Sequence, residues 1–363
     1  MIYLAAIVIL FAVIQFFTAW VNFIFRQTPR VKKRFPELLV SVLIPARNEE
    51  KNIGFLLTDL MNQEYKNLEI LVFDDLSEDR TAEVVNEFCA RDSRIRLLQS
   101  QGLPEGWMGK NYACHTLANK ARGDYFLFVD ADVSLQQTII KDTLNTMQRH
   151  KLGLLSLFPI QIMKSFGERI TVPVMNYILL SLLPLIFVRV SPFTSHSAAN
   201  GQFMLFEAEK YRRHLPHQRF KESAVEDIRI SRYYKKTGLR TACIAADRNL
   251  SCRMYEGYRD SVNGFTKNML MFFGNSAVVT LIFWLITTLG FIPVAVAGGN
   301  MVFWYLALLA MSRVMISDSS HQNVFLNIVL MPVHHIIMGV IIYRAIKLKH
   351  RKDDYQWKGR KLV

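Results

Sequence analysis

The sequence contains few cysteines, and their spacing is not that of a disulfide framework or a zinc site. Only four of the 363 residues are cysteine: Cys89, Cys114, Cys243 and Cys252. No two of them form a C-x-x-C pair, which argues against both a disulfide scaffold and structural zinc. We interpret the region that carries them as reduced and cytosol-facing.

Two signatures of binding proteins are also missing. No G-x-G-x-x-G motif follows the first predicted strand, which argues against a dinucleotide-binding dehydrogenase. The formal net charge is +14, from 44 Lys and Arg against 30 Asp and Glu, yet no basic helix carries interleaved aromatic residues. We therefore predict no nucleic-acid partner, and the charge suits anionic lipid or phosphorylated substrates.

Long apolar runs lie at both ends of the chain. Residues 2–25 are apolar almost throughout, and as a helix they would be about 36 Å long, enough to cross a bilayer. A signal peptide is the alternative, but it would need a basic start and a small-residue cleavage site. Arg26, Arg30, Lys32, Lys33 and Arg34 follow the run, which places the chain after Arg26 in the cytoplasm by the positive-inside rule.

The C-terminal region offers three candidate spans, at residues 277–297, 301–316 and 324–343. A cytoplasmic domain before them and a basic cytoplasmic tail after them require an even number of crossings. Residues 301–316 are the shortest candidate and contain Arg313, which favours an interfacial or re-entrant placement for that segment. We interpret His334 and His335 as helix-interface residues, because no third metal ligand is identifiable.

Short apolar strands alternate with helical segments between these two regions. The strands are predicted at residues 38–44, 68–73, 95–99 and 125–129. This alternation predicts an α/β fold with a doubly wound, mostly parallel sheet. Ligands of such sheets bind beyond the carboxyl ends of the strands, where polar residues follow each predicted strand here.

The fourth strand is followed at once by Asp130 and Asp132. Residues two apart in an extended chain point to the same side, so both carboxylates can face one site. Hard oxygen ligands of this kind suit Mg²⁺ or Mn²⁺ shared with substrate phosphates. The alternative is a pair of solvated acids in a turn.

These motifs together resemble the core of a family 2 glycosyltransferase with the GT-A fold. The resemblance covers roughly residues 38–268 and is carried by residues 42–50 (Val-Leu-Ile-Pro-Ala-Arg-Asn-Glu-Glu), Asp74-Asp75 and Asp130-Ala131-Asp132. It implies a nucleotide-sugar donor whose nucleobase is hydrogen-bonded by Asp75. It further implies donor contacts from Pro45, Ala46, Arg47, Glu49, Asp130 and Ala131, with the metal on Asp130 and Asp132. Glu49 can instead be a helix-start acid.

Residues 103–111 form a loop with Trp107 between two glycines, followed by Lys110. The loop resembles the Gly-Trp-Met/Leu-Gly-Lys segment of a membrane-bound subgroup that includes carotenoid (diaponeurosporenoate-type) and hopanoid-associated glycosyltransferases. A lysine near a helix start can meet a phosphate, so we predict that Lys110 contacts the donor. The alternative is a packed Trp beside a solvated Lys.

Glu226 and Asp227 match the Glu-Asp motif of the family, at the start of a helix that runs to about Lys236. The resemblance makes these two acids the catalytic candidates, with Asp227 as the general base; otherwise they are two acids that favour a helix N-terminus. Residues 198–206 would line the acceptor entrance, although they also suit an ordinary core helix. The Gln-x-x-Arg-Trp motif of processive members is missing, and Lys267 is the nearest cationic counterpart.

We therefore predict a metal-dependent inverting glycosyltransferase of the inner cell membrane that moves one sugar from a nucleotide sugar to a lipid or isoprenoid acceptor. The donor is expected to be a UDP-hexose. The predicted parts are an anchor at residues 1–25, a cytoplasmic catalytic domain at 36–268 with an interfacial segment at 171–190, a membrane region at 269–346 and a basic tail at 347–363. The alternatives are a processive polysaccharide synthase and a catalytically idle membrane protein that binds a lipid carrier.

Overall fold

A computed structural model describes residues 1–27, 38–351, 355–357 and 360–362. The basic residues at 30–34, which orient the first predicted span, lie outside the described residues, as do parts of the predicted tail at 347–363. The chain forms two compact units that interleave along the sequence. One comprises Met1–Arg26, Gln161–Pro184 and Arg253–Tyr355, and the other comprises Gln27–Ile160, Leu185–Cys252 and Gln356–Val363. The domain boundaries predicted above remain predictions.

Strands and helices alternate through the second unit, and helices dominate the first. The strands are β1 Val40–Ala46, β2 Leu68–Asp74, β3 Ile95–Gln99, β4 Tyr125–Val129, β5 Val133–Leu135, β6 Leu154–Phe158, β7 Ile160–Gln161, β8 Phe203–Glu207, β9 Thr241–Ala245, β10 Leu250–Cys252, β11 Tyr355–Trp357 and β12 Arg360–Leu362. The helices are α1 Ile2–Ile24, α2 Ile53–Met61, α3 Thr81–Cys89, α4 Gly109–Lys120, α5 Ile139–His150, α6 Phe166–Thr171, α7 Pro173–Leu182, α8 Ile186–Val190, α9 Ala208–His214, α10 Pro216–Arg219, α11 Glu226–Lys236, α12 Gly257–Asn268, α13 Ala277–Leu289, α14 Phe291–Ala297, α15 Met301–Ser319, α16 Val324–Val329 and α17 Met331–Arg351.

The sheet-containing unit is built on seven strands in the order β3-β2-β1-β4-β8-β6-β9. Its neighbours pair in parallel except at β8, which runs antiparallel to both β4 and β6. Strands β1, β2 and β4 are almost wholly buried, as expected for a sheet covered on both faces. The predicted fold class, an α/β protein with a mostly parallel sheet, is confirmed.

Within the segment at residues 198–206, residues 203–206 lie in the strand β8 rather than in a core helix. Phe203 and Leu205 pack into one hydrophobic layer, and Met204 and Phe206 pack into the layer on the other side of the sheet. Alternation between two faces is the period of a strand, and here both faces are apolar. A short continuous apolar run is compatible with either a helix or a strand, and here burial of both of its faces in the sheet stabilises the strand.

The helical unit contains three helices that are long and apolar enough to cross a membrane: Ile2–Ile24, Met301–Ser319 and Met331–Lys349. A bent pair, Gly257–Phe273 with Ala277–Leu289, adds a fourth candidate. The apolar helix α15 continues to Ser319, beyond the predicted segment at 301–316, so the argument that this segment is too short fails.

Two of the predicted spans are interrupted in the structure. The segment at 277–297 divides into α13 and α14 at Gly290, where an added Cβ would lie 2.7 Å from Val8 Cγ1 of α1. The segment at 324–343 divides into α16 and α17 beside Pro332. Proline lacks the backbone N–H that continues a helix, so helices begin near it. The proline-containing segment at 171–190 likewise gives only short helices, of which the ten-residue α7 is the longest.

Candidate active site

The ends of β1 and β2 are tied together by backbone and guanidinium contacts. The Asp75 N–H donates to the Ala46 carbonyl (2.9 Å). The buried Arg47 donates from Nη1 to the carbonyls of Asp75 (2.6 Å) and Leu76 (2.8 Å). Arg47 therefore fixes the shape of this edge of the predicted nucleobase pocket, and Pro45 lies beside it in register with Phe73.

Asn48 precedes two glutamates but does not cap a helix. Helix α2 begins only at Ile53. Asn48 has a left-handed backbone (φ 54°), and its Oδ1 accepts from the Glu78 N–H (2.9 Å). Leu76 at the end of the adjoining strand is also left-handed (φ 54°). Two non-glycine residues in this sparsely populated region are typical of a constrained ligand-binding edge.

The side chains of Asp74 and Asp75 lie in different environments. The Asp74 carboxylate accepts from the Ser77 N–H (3.2 Å) and so closes the turn after β2. Asp75 is buried, with 2% of its surface exposed, at the carboxyl end of the strand. Its contact with a nucleobase stays a prediction.

Lys110 is partly buried and pairs with the first aspartate after β4. It lies in the first turn of α4, and its Nζ is 2.6 Å from Asp130 Oδ1 and 2.8 Å from Oδ2. The same ammonium is 3.3 Å from the Gly201 carbonyl. Burial alone would lower the pKa of Lys110, but the Asp130 and Glu226 charges outweigh it and raise the pKa above its ordinary value. The lysine is thus held in its charged form at the predicted diphosphate site.

Asp132 is positioned by a thiol. The Gln202 Nε2 donates to Cys252 Sγ (2.9 Å), and the Cys252 thiol is hydrogen-bonded to the Asp132 carboxylate. Burial, together with the charges of Asp130 and Glu49, raises the pKa of Asp132 to about 6. The structure thus brings Glu49 close enough to act on this carboxylate.

A divalent cation fits these two aspartates. Asp132 Oδ1 is buried and has no hydrogen-bond donor among the described residues, and a buried acceptor of this kind calls for a partner. No group of three or more His, Cys, Asp or Glu within the described ranges could hold a metal ion. The chain would therefore offer Asp130 and Asp132, and the other ligands would be phosphate oxygens or water, as is usual for Mg²⁺. Ala131 between them packs its side chain into the core.

Glu226 and Asp227 open α11 beside the same lysine. Asp227 Oδ2 accepts from the Gly201 N–H (3.1 Å), and its Oδ1 accepts from the Ile228 N–H (2.7 Å). A Cβ added at Gly201 would lie 3.2 Å from Lys110 Nζ and 3.5 Å from Glu226 Oε1. A side chain at position 201 would therefore crowd the lysine, at the point where the predicted metal site, the lysine and the two acids converge.

Burial is the largest influence on the pKa of both Glu226 and Asp227. It raises the pKa of Glu226 to about 7, against the opposing charge of Lys110 and with a further rise from Asp227. It also raises the pKa of Asp227, although the N–H groups of Ile228 and Gly201 favour the ionised form. A carboxylate whose pKa lies nearer neutrality is better suited to accept a proton in catalysis.

Three residues that support this cluster were missed by the sequence interpretation. Asn111 donates from Nδ2 to the carbonyls of Phe220 (3.0 Å), Lys221 (3.1 Å) and Ser223 (2.9 Å), which fixes the loop before α11. Its place directly after Lys110 was the available signal. Gln202 and Cys252 carried no comparable signal. Lys267 lies on α12, in the helical unit, and its predicted donor contact stays a prediction.

Comparison with known proteins bears on this geometry. Residues 41–178 match the model of the family described as glycosyl transferase family 2. Two relatives are both named 4,4'-diaponeurosporenoate glycosyltransferase. That of Staphylococcus aureus (strain USA300) is 26% identical over 354 residues, 93% of this chain and 92% of the relative. That of Staphylococcus haemolyticus (strain JCSC1435) is 28% identical over 240 residues, so the match covers 63% of this chain and only 60% of the relative's length.

Among solved structures, the fold is similar to that of the mannosyltransferase PcManGT from Pyrobaculum calidifontis, solved in complex with GDP-Man and Mn2+. The TM-score is 0.60 at 14% identity, covering 97% of this chain and 100% of the other. At this identity the likeness concerns the fold alone.

Proposed function

We propose a specific reaction for this chain, starting from the match of residues 41–178 to the glycosyl transferase family 2 model. The protein is a membrane-anchored, metal-dependent inverting glycosyltransferase that transfers one sugar from a UDP-hexose to a lipid acceptor. The observation that carries this proposal is the convergence of Asp130, Lys110, Glu226 and Asp227 around Gly201. At this point one partly buried lysine lies between the acids predicted to hold the metal and the acids predicted to accept the proton.

The chemistry is a single displacement at the anomeric carbon. The acceptor oxygen forms the new bond as the bond to the diphosphate oxygen breaks, through an oxocarbenium-like transition state. Asp227 takes the acceptor's hydroxyl proton, and Lys110 supplies positive charge beside the departing phosphate. A divalent cation held by Asp130 and Asp132, when bound, neutralises the diphosphate charge.

The helical unit supports a membrane location. Arg26 at the end of α1 pairs with Asp318 near the end of α15, so both helices cross in the same direction, with these ends in the cytoplasm. One crossing in the opposite sense must lie between them, and the bent pair Gly257–Phe273 with Ala277–Leu289 is the candidate. A cytoplasmic basic tail then requires that α17 does not cross. The names of the relatives support a membrane lipid as the acceptor, and the pH dependence of transfer distinguishes an alcohol from a carotenoid acid.

The test of the proposed function is a transfer assay with the full chain in membranes. UDP-hexoses and GDP-hexoses are supplied with Mn²⁺ or Mg²⁺, and lipid extracts from cells with and without the gene are compared by mass spectrometry. We expect a new glycolipid carrying one hexose. A polymer would favour the processive alternative, and failure to bind UDP with Mn²⁺ would favour the idle one.

Replacing Asp75 by alanine should weaken use of the UDP-sugar. A buried carboxylate can accept a hydrogen bond from uracil N3–H, and a hydrogen bond to a charged group contributes about 1.5–3 kcal/mol, or about 10- to 150-fold in the Michaelis constant. Steady-state kinetics with varied UDP-sugar measures this change. Asp92→Ala, at the opposite end of the sheet beside Arg94, is the control. An unchanged constant in Asp75→Ala would remove the nucleobase role.

Replacing Cys252 by alanine should weaken metal binding without changing the metal ligands themselves. The substitution removes the thiol that holds the Asp132 carboxylate and accepts from Gln202. Loss of such an outer contact typically weakens metal affinity about 10- to 100-fold. Mn²⁺ affinity, measured by electron paramagnetic resonance with UDP present, should fall in Cys252→Ala and largely recover in Cys252→Ser. Cys89→Ala on α3 is the control, and wild-type affinity in Cys252→Ala would contradict the positioning role.

A further inference from the structure

The helical unit buries an arginine in one of its most apolar helices. Arg313 lies in α15, which is long and apolar enough to cross a membrane, and only 3% of its surface is exposed. A guanidinium keeps its charge under nearly all conditions. An ionisable group at such a position is unfavourable in hydrocarbon and is usually paired or functional.

Arg313 has little to balance its charge within the described part of the chain. Its Nη2 donates to His335 Nε2 at 3.4 Å, and its Cζ lies 3.8 Å from the centre of the Tyr177 ring. No ion pair of the described residues includes it. By contrast, Arg253 in the same unit pairs with the buried Glu168 (3.0 Å). The five N–H donors of Arg313 are therefore mostly without acceptors.

The groups around Arg313 are polar but neutral, and they come from four other helices. Gln15 of α1 donates from Nε2 to the Tyr177 hydroxyl (3.2 Å) and to Ser181 Oγ (3.1 Å), both on α7. The Thr288 hydroxyl of α13 lies 3.4 Å from His335 Nδ1 of α17. Tyr177 also stacks edge-on against the His335 ring. Five helices thus contribute to one buried polar cluster whose net charge is that of Arg313.

We propose that this cluster, Arg313 with Tyr177, His335, Gln15, Ser181 and Thr288, binds the carboxylate or phosphate head group of a membrane amphiphile. The anion supplies the missing counter-charge, and the planar fork of the guanidinium binds two of its oxygens side by side. The Ser181 hydroxyl is a further donor, whereas the Tyr177 hydroxyl donates to Gln15 Oε1 (3.4 Å). An amphiphile fits better than a soluble anion because neighbouring side chains of α15, such as Met311 (53% exposed), are exposed and apolar. This site does not depend on the transfer reaction proposed above.

The test uses the full chain purified in a neutral detergent and measured by native mass spectrometry. The probes are oleate and oleoyl lysophosphatidate, with oleyl alcohol as the neutral analogue of the same chain length. We expect the wild type to retain at least one anionic probe about 10- to 100-fold better than the alcohol, the range expected for hydrogen bonds to a charged group. Preference for oleate identifies a carboxylate ligand, and preference for lysophosphatidate identifies a phosphate lipid.

Variants assign the preference to the arginine. Arg313→Met should abolish it, and Arg313→Lys, which keeps the charge but loses the fork, should retain part of it. Arg344→Met is the control, because Arg344 lies on α17 in the same unit and contacts Asn263 instead of the cluster. Thermal melting verifies that each variant is folded. Equal retention of oleyl alcohol and both anions by the wild type would overturn the proposal without any variant, as would an unchanged preference in a folded Arg313→Met.

Discussion

Asp132→Ala should lower sugar transfer by about 10³-fold or more while the protein remains folded in membranes. A metal ion typically contributes several kcal/mol to a transition state of this charge, and about 4 kcal/mol corresponds to this factor. Asp132 is the stronger probe of the two aspartates, because Asp130 also pairs with Lys110 (2.6 Å). Removing Asp130 would therefore disturb the lysine as well as the metal.

The loss in Asp132→Ala can be separated from unfolding. Asp132 Oδ1 has no donor among the described residues, so its removal breaks few contacts. Mn²⁺ binding, followed by electron paramagnetic resonance with UDP present, should disappear in parallel with transfer, and the melting temperature should change little. Glu83→Ala on the exposed surface of α3, where the glutamate pairs with Arg80 (2.8 Å), is the control. Retained transfer that still requires metal would show that Asp132 is not a ligand.

Much of the sheet could be predicted from the sequence because its strands are nearly continuous apolar runs. The observed bounds of β3 and β4, Ile95–Gln99 and Tyr125–Val129, coincide with the prediction. Asp124 and Asp130 flank β4 directly, and Arg94 precedes β3. The antiparallel β8 could not be placed in the same way, because an apolar run buried on both faces has no period of its own. The helix breaks at Gly290 and beside Pro332 were likewise not predicted, because hydropathy alone shows the segments that contain them as continuous apolar runs.

The residues of the candidate site likewise fall into two groups, those that local sequence identifies and those that only strand pairing brings into place. Asp130, Asp132, Glu226 and Asp227 are acids at the ends of apolar or helical segments, which makes them visible locally. Cys252 lies beside Asp132 only because β10 pairs with β5, placing Cys252 opposite Val133. Gln202 lies beside Asp130 only because β8 pairs with β4, placing Phe203 opposite Val129. Contacts created by antiparallel pairing between distant segments leave no trace in local spacing.

Asp227→Asn should lower the maximal rate by about 10²- to 10⁴-fold with an alcohol acceptor, the usual contribution of a positioned base. An alcohol must lose its proton as it attacks, and asparagine keeps the shape of aspartate without its basicity. Donor affinity should change little, because the contacts predicted for the donor come from residues other than Asp227. Glu209→Gln, an exposed pair with Arg213 on α9, is the control for a carboxylate-to-amide change.

The adjacent Glu226 is the rival base, and the two acids can be told apart. The pKa of Glu226 is raised to about 7 by burial, whereas both oxygens of Asp227 accept backbone N–H groups that hold its orientation. If Asp227 is the base, Glu226→Gln should cost less in rate than Asp227→Asn. The reverse order would assign the proton to Glu226.

The pH dependence of single-turnover transfer then identifies the acceptor. A base works only when deprotonated, so the rate with an alcohol should rise with pH through the pKa of the base. Because burial raises the pKa of Asp227, this rise should lie above the ordinary aspartate value of about 3.9. A carboxylic acid acceptor is already ionised near neutral pH and needs no base, so Asp227→Asn should then lose much less. We favour the alcohol, since two buried acids beside one lysine are suited to moving a proton. Equal rates of the wild type and Asp227→Asn with an alcohol would mean that Asp227 is not the base.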